Sequence, residues 1–361
     1  MMTLAFASSL SGRVTAANRP LHLDRITLPP GFSIAVYARV RDARSLALSP
    51  SGVLYVGNRQ ENAVYAVLPP KDGRPASVVK IIDGLRMPNG VAFRDGALYV
   101  AEVNRVLKFP DIEKDLTHAR PVVINKDYPT DQNHGWKFIA FGPDGKLYVP
   151  VGAPCNICEP DEPIFGTITR INADGSGREI YAYGIRNSVG FDWSPDAKEL
   201  WFTDNGRDNL GDDIPSDELN HATRAGMNFG YPYFHAKGIP DPEFGKGKRR
   251  EDYVEPELEL GAHVAALGMR FYTGKMFPPD YRGRIFIAQH GSWNRSVKSG
   301  YRVMTVRIQD GHAAGYEPFA TGWLNDGDVW GRPVDVLVMP DGSLLVSDDF
   351  SGTIYRITYR G

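Results

Sequence analysis

Along the chain, one pattern of apolar and polar positions returns six times. Its first copy is Ser45–Gly57: alternating strand, Ser-Pro-Ser-Gly turn, second strand ending in Leu-Tyr-Val. Asn89–Ala101, Lys137–Pro150 and Ser188–Thr203 repeat it. Met269–Gly274 with Tyr281–Ala288 is a fifth copy carrying a longer connection, and Val334–Ser347 is the sixth. The logic is that of a hairpin. In Pro-Asp-Gly the proline fixes φ, the aspartate bonds the backbone two residues on, and the glycine takes a positive φ. The flanking alternation predicts strands with one buried face. A third strand follows several copies, as in Asn62–Val67, Gly166–Ile171 and Gly352–Ile357.

The copies start roughly 45 to 80 residues apart, which suits four-stranded units with unequal insertions. Such a sheet cannot cover both faces alone, so the units stack around an axis. The predicted fold is all-β, a six-bladed β-propeller, with residues 28–361 as one propeller domain. Phe32–Ala38 reads as a strand that completes the last blade and closes the ring. The segment from Gly206 to Ala265 is the largest insertion and reads as loops on one face.

Composition narrows the partners. The net charge of −2 gives no general attraction to nucleic acid or anionic lipid. No apolar run is long enough for a membrane span. Residues 1–27 form an N-terminal segment whose Thr15-Ala16-Ala17 suits a signal peptidase but whose basic start is missing. It reads as an export-signal remnant or as a disordered start. The only two cysteines, Cys155 and Cys158, lack the partners of a zinc site and the βαβ setting of a redox motif. A local disulfide is the expectation, with free thiols the alternative. A disulfide implies an oxidising compartment, so the localisation expected is periplasmic or secreted.

In propellers, chemistry gathers on loops that enter and leave the innermost strands. Four polar clusters stand there. His134, just before the third copy, has the basicity for proton transfer, with Asp131 a candidate to orient it. Arg186 and Asn187 hold the matching place before the fourth copy, and a guanidinium suits carboxylates or an oxyanion. Phe202–Asp213 with Ser216–Asn220 is dense in oxygen ligands suited to Ca²⁺. His290, Arg295 and Arg332 add positive charge at the channel mouth, with Trp293 or Trp330 able to stack on a planar ligand.

The order His134-Gly-Trp-Lys137, then Gly184-Ile-Arg-Asn187, then Asn205-Gly-Arg207 with Asp217-Glu-Leu-Asn220, then Asn228-Phe-Gly-Tyr-Pro232, resembles the soluble quinoprotein sugar dehydrogenases. Within them it looks closest to the L-sorbosone dehydrogenase-like branch. The resemblance runs from about Leu28 to Arg360. It implies pyrroloquinoline quinone (PQQ) and Ca²⁺ in the channel, a small-molecule sugar or aldehyde as substrate, and an external electron acceptor. It implies His134 as general base and Arg186 as the group that stabilises charge on the quinone oxygen, with Asn187 beside it. Gly206 and Arg207 match positions whose carbonyls hold a catalytic Ca²⁺, and Glu218 and Phe229 match a structural Ca²⁺ site. Arg332 matches an arginine near the cofactor carboxylates, and His290 and Arg295 join it as cofactor-binding candidates. Asn89 and Lys137 stand where the family pattern has a glutamine and an arginine, and are read as cofactor-binding too. Trp136 replaces a glycine of that pattern and changes the shape of the channel.

Two other readings fit the propeller. A calcium-dependent lactonase or hydrolase would bind its metal through Asn89, Asn187 and Asp204 or Asp335. A non-catalytic propeller would bind a protein partner through its faces and would not need His134.

Overall fold

The structure, a computed structural model, describes residues 20–70 and 76–361. Residues 1–19, with most of the N-terminal segment and its Thr15-Ala16-Ala17, lie outside the described residues.

Each repeated unit is the first hairpin of a four-stranded antiparallel sheet. Blade 1 comprises Leu46–Leu48, Leu54–Val56, Val64–Leu68 and Ser77–Ile82. Blade 2 comprises Gly90–Arg94, Ala97–Ala101, Val106–Phe109 and Val122–Asn125. Blade 3 comprises Ala140–Phe141, Leu147–Val151, Thr167–Ile171 and Glu179–Tyr183. Blade 4 comprises Phe191–Trp193, Leu200–Asp204, Ser216–Ala222 and Leu258–Ala262. Blade 5 comprises Ala266–Phe271, Ile285–Gln289, Arg302–Gln309 and His312–Ala320. Blade 6 comprises Pro333–Val338, Leu344–Asp348, Thr353–Tyr359 and Phe32–Arg39. The chain is a six-bladed β-propeller.

The turn chemistry is as the sequence predicts. Asp144 and Asp341 accept the N–H groups of Lys146 and Ser343, each at 3.0 Å. Gly145 and Gly342 take φ of +77° and +87°. The ring closes as expected, with Phe32–Arg39 antiparallel to Thr353–Tyr359 from Phe32↔Tyr359 onward. The Phe32 ring then packs edge-on against Phe277, Tyr281 and Phe319. Full burial of such a ring contributes about 1.5–3 kcal/mol, and Phe32 is half-buried, so closure rests on a share of that packing as well as on the ladder.

Two expectations need correction. The second strand of every blade is not buried on one face only: Leu54–Val56, Ala97–Ala101, Leu147–Val151, Leu200–Asp204, Ile285–Gln289 and Leu344–Asp348 are buried at every position. The reason is stacking. Every blade is covered on both faces by its neighbours, and an apolar cluster fills each of the six blade junctions. The insertion 206–265 is also more than loops. It supplies the two outer strands of blade 4, and within it Met227–Asn228 adds a parallel fifth strand to blade 3. Asp217 and Glu218, in the middle of its acidic run, accept backbone N–H groups inside the sheet, so that part of the run marks a buried strand.

Candidate active site

The inner strands run side by side around the axis, and each second strand returns antiparallel to its inner one. Residues just before an inner strand and just after a second strand therefore meet at the same end of the channel. There they enclose a cavity of about 390 Å³. Arg44, His134, Arg186 with Asn187, and Arg332 come from the starts of inner strands; Arg59, Asn205 with Gly206, and His290 come from the ends of second strands.

His134 sits in a left-handed turn, φ +49°. Its Cβ lies so near Gly152 that a Cβ on the glycine would come within 2.5 Å of it, which excludes any larger residue at 152. Nδ1 is 2.9 Å from the carbonyl oxygen of Ala153. A carbonyl only accepts, so Nδ1 carries the hydrogen and Nε2 keeps its lone pair. Asp131, the expected orienting group, does not perform that task; the backbone oxygen of Ala153 does. Burial pushes the His134 pKa down to about 3, with the Arg186 charge adding to the effect and Arg59 contributing last. The ring is neutral at neutral pH. Trp136 stands edge-on to it at 6.2 Å, and the Arg59 guanidinium lies 3.8 Å above the Trp136 ring.

Arg186 and Asn187 are fixed by their own backbone. Their N–H groups donate to the two oxygens of Asp204 at 2.8 and 2.6 Å. The Asp204 carboxyl is pushed up by burial and by Glu218 opposite it in the ladder. Arg332 donates to the carbonyls of His290 (3.0 Å) and Gly291 (2.6 Å). His290 Nε2 meets Asp349 at 2.9 Å, and Asp349 also pairs with Arg44.

The charge balance of the wall decides what it can bind. Arg44 is paired with Asp349 and Arg186 with Asp208. Arg59 and Arg332 form no ion pair among the described residues, although the Asp349 carboxylate acts on both at longer range, so the wall keeps spare guanidinium capacity. Asp217, also at the wall, accepts from Gly206 N (2.9 Å) and Ala266 N (3.1 Å), and burial pushes its pKa up to about 6. A cavity with spare guanidinium donors suits a multiply charged anion.

Of the candidates named from the sequence, His134, Arg186, Asn187, Gly206, His290, Trp293 and Arg332 line the cavity, together with Asp217. Asn89, Lys137, Arg207, Glu218, Phe229, Arg295 and Trp330 do not. Asn89 is fully buried beneath it, accepting from Arg44 Nε at 2.6 Å and donating to the Lys137 carbonyl at 2.8 Å. Lys137 is buried with Nζ 3.4 Å from the Gly135 carbonyl and over the Tyr128 ring, and burial pushes its pKa down to about 7. Arg207 pairs with Asp241 away from the cavity. Glu218 accepts from Ala236 N at 2.7 Å, and Phe229 packs on Phe202 in the junction of blades 3 and 4. Arg295 pairs with exposed Asp213. Trp330 is buried, its Nε1 donating to Gly322, whereas Trp293 is 74% exposed at the cavity. Arg44 and Arg59 were not among the candidates, whereas Asn205 and Asp208 lie in the oxygen-rich segment Phe202–Asp213 and do line the cavity. Arg44 immediately precedes the first repeated unit, as Arg186 precedes its own, so the positional rule would have found it.

Cys155 and Cys158 are joined as a disulfide, as expected. Among the described residues no group of three or more His, Cys, Asp or Glu side chains is placed to hold a metal ion. No helix among them is long and apolar enough to cross a membrane.

A six-bladed propeller with an arginine-rich cavity at one end of its channel and a neutral histidine in the wall defines a binding or catalytic protein of the propeller class. The chain belongs to the glucose/sorbosone dehydrogenase family, which matches residues 100–356. It is 33% identical over 354 residues to an uncharacterized protein of Borreliella burgdorferi, spanning 93% of this chain and 91% of that one. Two solved structures share its fold. One is a Trichoderma reesei carbohydrate-active enzyme of family AA12 in a calcium structure, with TM-score 0.79, 20% identity, and 97% of this chain and 100% of that one covered. The other is the holo form of the PQQ domain of a Coprinopsis cinerea pyranose dehydrogenase, with TM-score 0.75, 17% identity, and 95% and 98% covered.

Proposed function

We propose that this protein oxidises an aldose or aldehyde sugar, hemiacetal to lactone or aldehyde to acid, with PQQ held at the arginine-rich end of the channel. One observation carries the reading: a histidine with an unprotonated Nε2 shares a cavity with two arginines that form no ion pair among the described residues. PQQ bears three carboxylates, and when bound it supplies the two-electron acceptor for the substrate. Arg59 and Arg332 are the groups to meet those carboxylates. Arg186 sets a fixed positive charge beside them. Nε2 of His134 takes the proton of the substrate hydroxyl, since Nδ1 is held by Ala153. An anion in the cavity offsets the arginine charge that disfavours protonation of His134, and so raises its proton affinity.

Calcium fits this reading through backbone oxygen. Among the described residues no donor reaches the carbonyls of Gly206 and Arg207, and such unengaged oxygens suit a hard cation. A bound cation there would act as a Lewis acid. The second metal reading, at Glu218 and Phe229, rests on family resemblance; Glu218 already accepts from Ala236 and Asn220. The electron acceptor is external, and the disulfide supports a periplasmic or secreted location. The lactonase reading is weaker. Its ligands Asn89, Asp204 and Asp335 direct their side-chain oxygens at Arg44 or at backbone N–H groups rather than at a common centre.

The test is turnover. The purified protein, loaded with PQQ and Ca²⁺, is offered a panel of aldoses and aldehydes with an artificial dye as acceptor. Dye reduction that requires PQQ is the expected result. Bound PQQ with no dye reduction by any member, alongside hydrolysis of a lactone, would overturn the proposal.

A further inference from the structure

The loop between the second and third strands of blade 3 carries the disulfide ring Cys155-Asn156-Ile157-Cys158, with the cysteine Cα atoms 6.2 Å apart. Asn156, inside the ring, meets Arg186 twice. Its backbone carbonyl accepts from Nε at 2.8 Å, and its Oδ1 accepts from Nη2 at 2.8 Å. The same Oδ1 accepts the N–H of Asp208 at 2.8 Å, and Asn156 Nδ2 donates to the Asp208 carbonyl at 3.1 Å. The Asp208 carboxylate then faces Arg186 Nη2 at 3.1 Å, while Nη1 donates to the Asn205 carbonyl at 3.1 Å.

A guanidinium has five N–H groups in a rigid fork. The bonds to Asn156, Asp208 and Asn205 occupy four of them, so a single Nη1 hydrogen is left for a ligand. Arg186 is only 4% exposed, so its surroundings dictate where that hydrogen points. Asn156 supplies two of the four acceptors and also holds Asp208, which supplies a third. Its own backbone is constrained by ring closure across three peptide bonds, which restricts the conformations open to it. Tyr231 braces the ring: its hydroxyl accepts the Cys158 N–H at 3.2 Å and lies 3.5 Å from Cys155 Sγ.

We infer that Asn156 is a positioning residue for Arg186 and that the Cys155–Cys158 disulfide holds it in place. The disulfide is thus a part of the site, although neither sulfur lines the cavity. The consequence for turnover rests on the proposed function; the control of Arg186 does not.

Two variants test this, Asn156→Ala and the double variant Cys155→Ser/Cys158→Ser. The first readout is the Arg186 Nε–Hε NMR signal of the protein without cofactor, assigned by its loss in Arg186→Lys. In the parent protein it is sharp and slow to exchange with solvent. In both variants the signal shifts, and its exchange rises by about tenfold or more as the local bonds open. The second readout is kinetic: kcat falls on the order of 100-fold while KM changes little, because the reacting geometry is disturbed and not the substrate pocket. A parent protein that binds no PQQ overturns the functional reading and leaves the NMR comparison to decide the role of Asn156. An Arg186 signal unchanged in position and exchange in both folded variants overturns the inference.

Discussion

The inner ring carries charge at two levels, and they are completed differently. Part-way along the inner strands, Arg270 lies 3.6 Å from Asp335 and near Asp192. Asp192 accepts the N–H groups of Trp193 and Phe271, and Asp335 those of Leu46 and Val336, each at 2.9 Å. The Arg270 guanidinium also covers the Phe138 ring at 4.6 Å. Burial pushes both carboxyls up, and Arg270 opposes it. That level is closed within the scaffold. At the cavity end of the channel the same residue types are left incomplete: Arg59 and Arg332 without an ion pair among the described residues, and His134 with an open Nε2. A charged residue in the channel does not itself mark a site; unengaged hydrogen-bonding capacity does.

The sharpest separation comes from His134→Gln. Turnover should fall by about 10²–10⁴-fold, the usual contribution of a positioned base. The denaturant unfolding midpoint should stay nearly where it was. A loss of stability matching the loss of activity would place His134 with the scaffold.

Arg270→Ala should do the reverse. Removing one member of a buried charged group costs about 3–5 kcal/mol, read from urea unfolding. Arg332→Ala should cost much less in stability, since its partners are loop carbonyls at the cavity wall. Equal losses in the two variants would erase the distinction between the levels.

Arg332→Ala should instead weaken PQQ binding. A hydrogen bond to a charged group contributes about 1.5–3 kcal/mol, so the dissociation constant should rise roughly 10- to 100-fold. Calorimetric titration of the variant checks this.

The smallest effect is a resonance that does not move. In the protein without cofactor, the His134 ring should remain the neutral Nδ1–H tautomer as pH falls through the usual histidine range near 6.5. Long-range proton–nitrogen NMR reports it. The unfolded chain takes a proton there and the folded chain does not. Stability is therefore full above about 6.5 and declines as pH falls below it, until the folded ring protonates near its depressed value of about 3. A ring that titrates normally would contradict the burial argument.

The fold was legible because a hairpin with Pro-Asp-Gly chemistry is a local signal and was repeated. Blade 4 was legible only to its second strand. Ser216–Ala222 carries Asp217, Glu218 and Asn220 buried in a sheet, and no local pattern tells such a strand from a metal-binding loop. The site was legible where position relative to a repeat could be read, as for His134, Arg186, Asn187 and Arg332. It was not legible where a backbone oxygen does the work. Ala153 fixes the tautomer of His134 and Asn205 receives Arg186, and any residue type carries a carbonyl. Asn156 was hidden for a related reason: its place in a disulfide ring says nothing about what the ring faces.

The central claim is that the arginine-rich end of the channel is a quinone site. The most direct measurement is a titration of the cofactor-free protein with PQQ in the presence of Ca²⁺, followed by the quinone absorbance. Saturation at one PQQ per chain, weakened in Arg332→Ala and unchanged in Arg295→Ala, is the result predicted. Absence of saturable binding, or equal binding by the Arg332 variant and its parent, would contradict it.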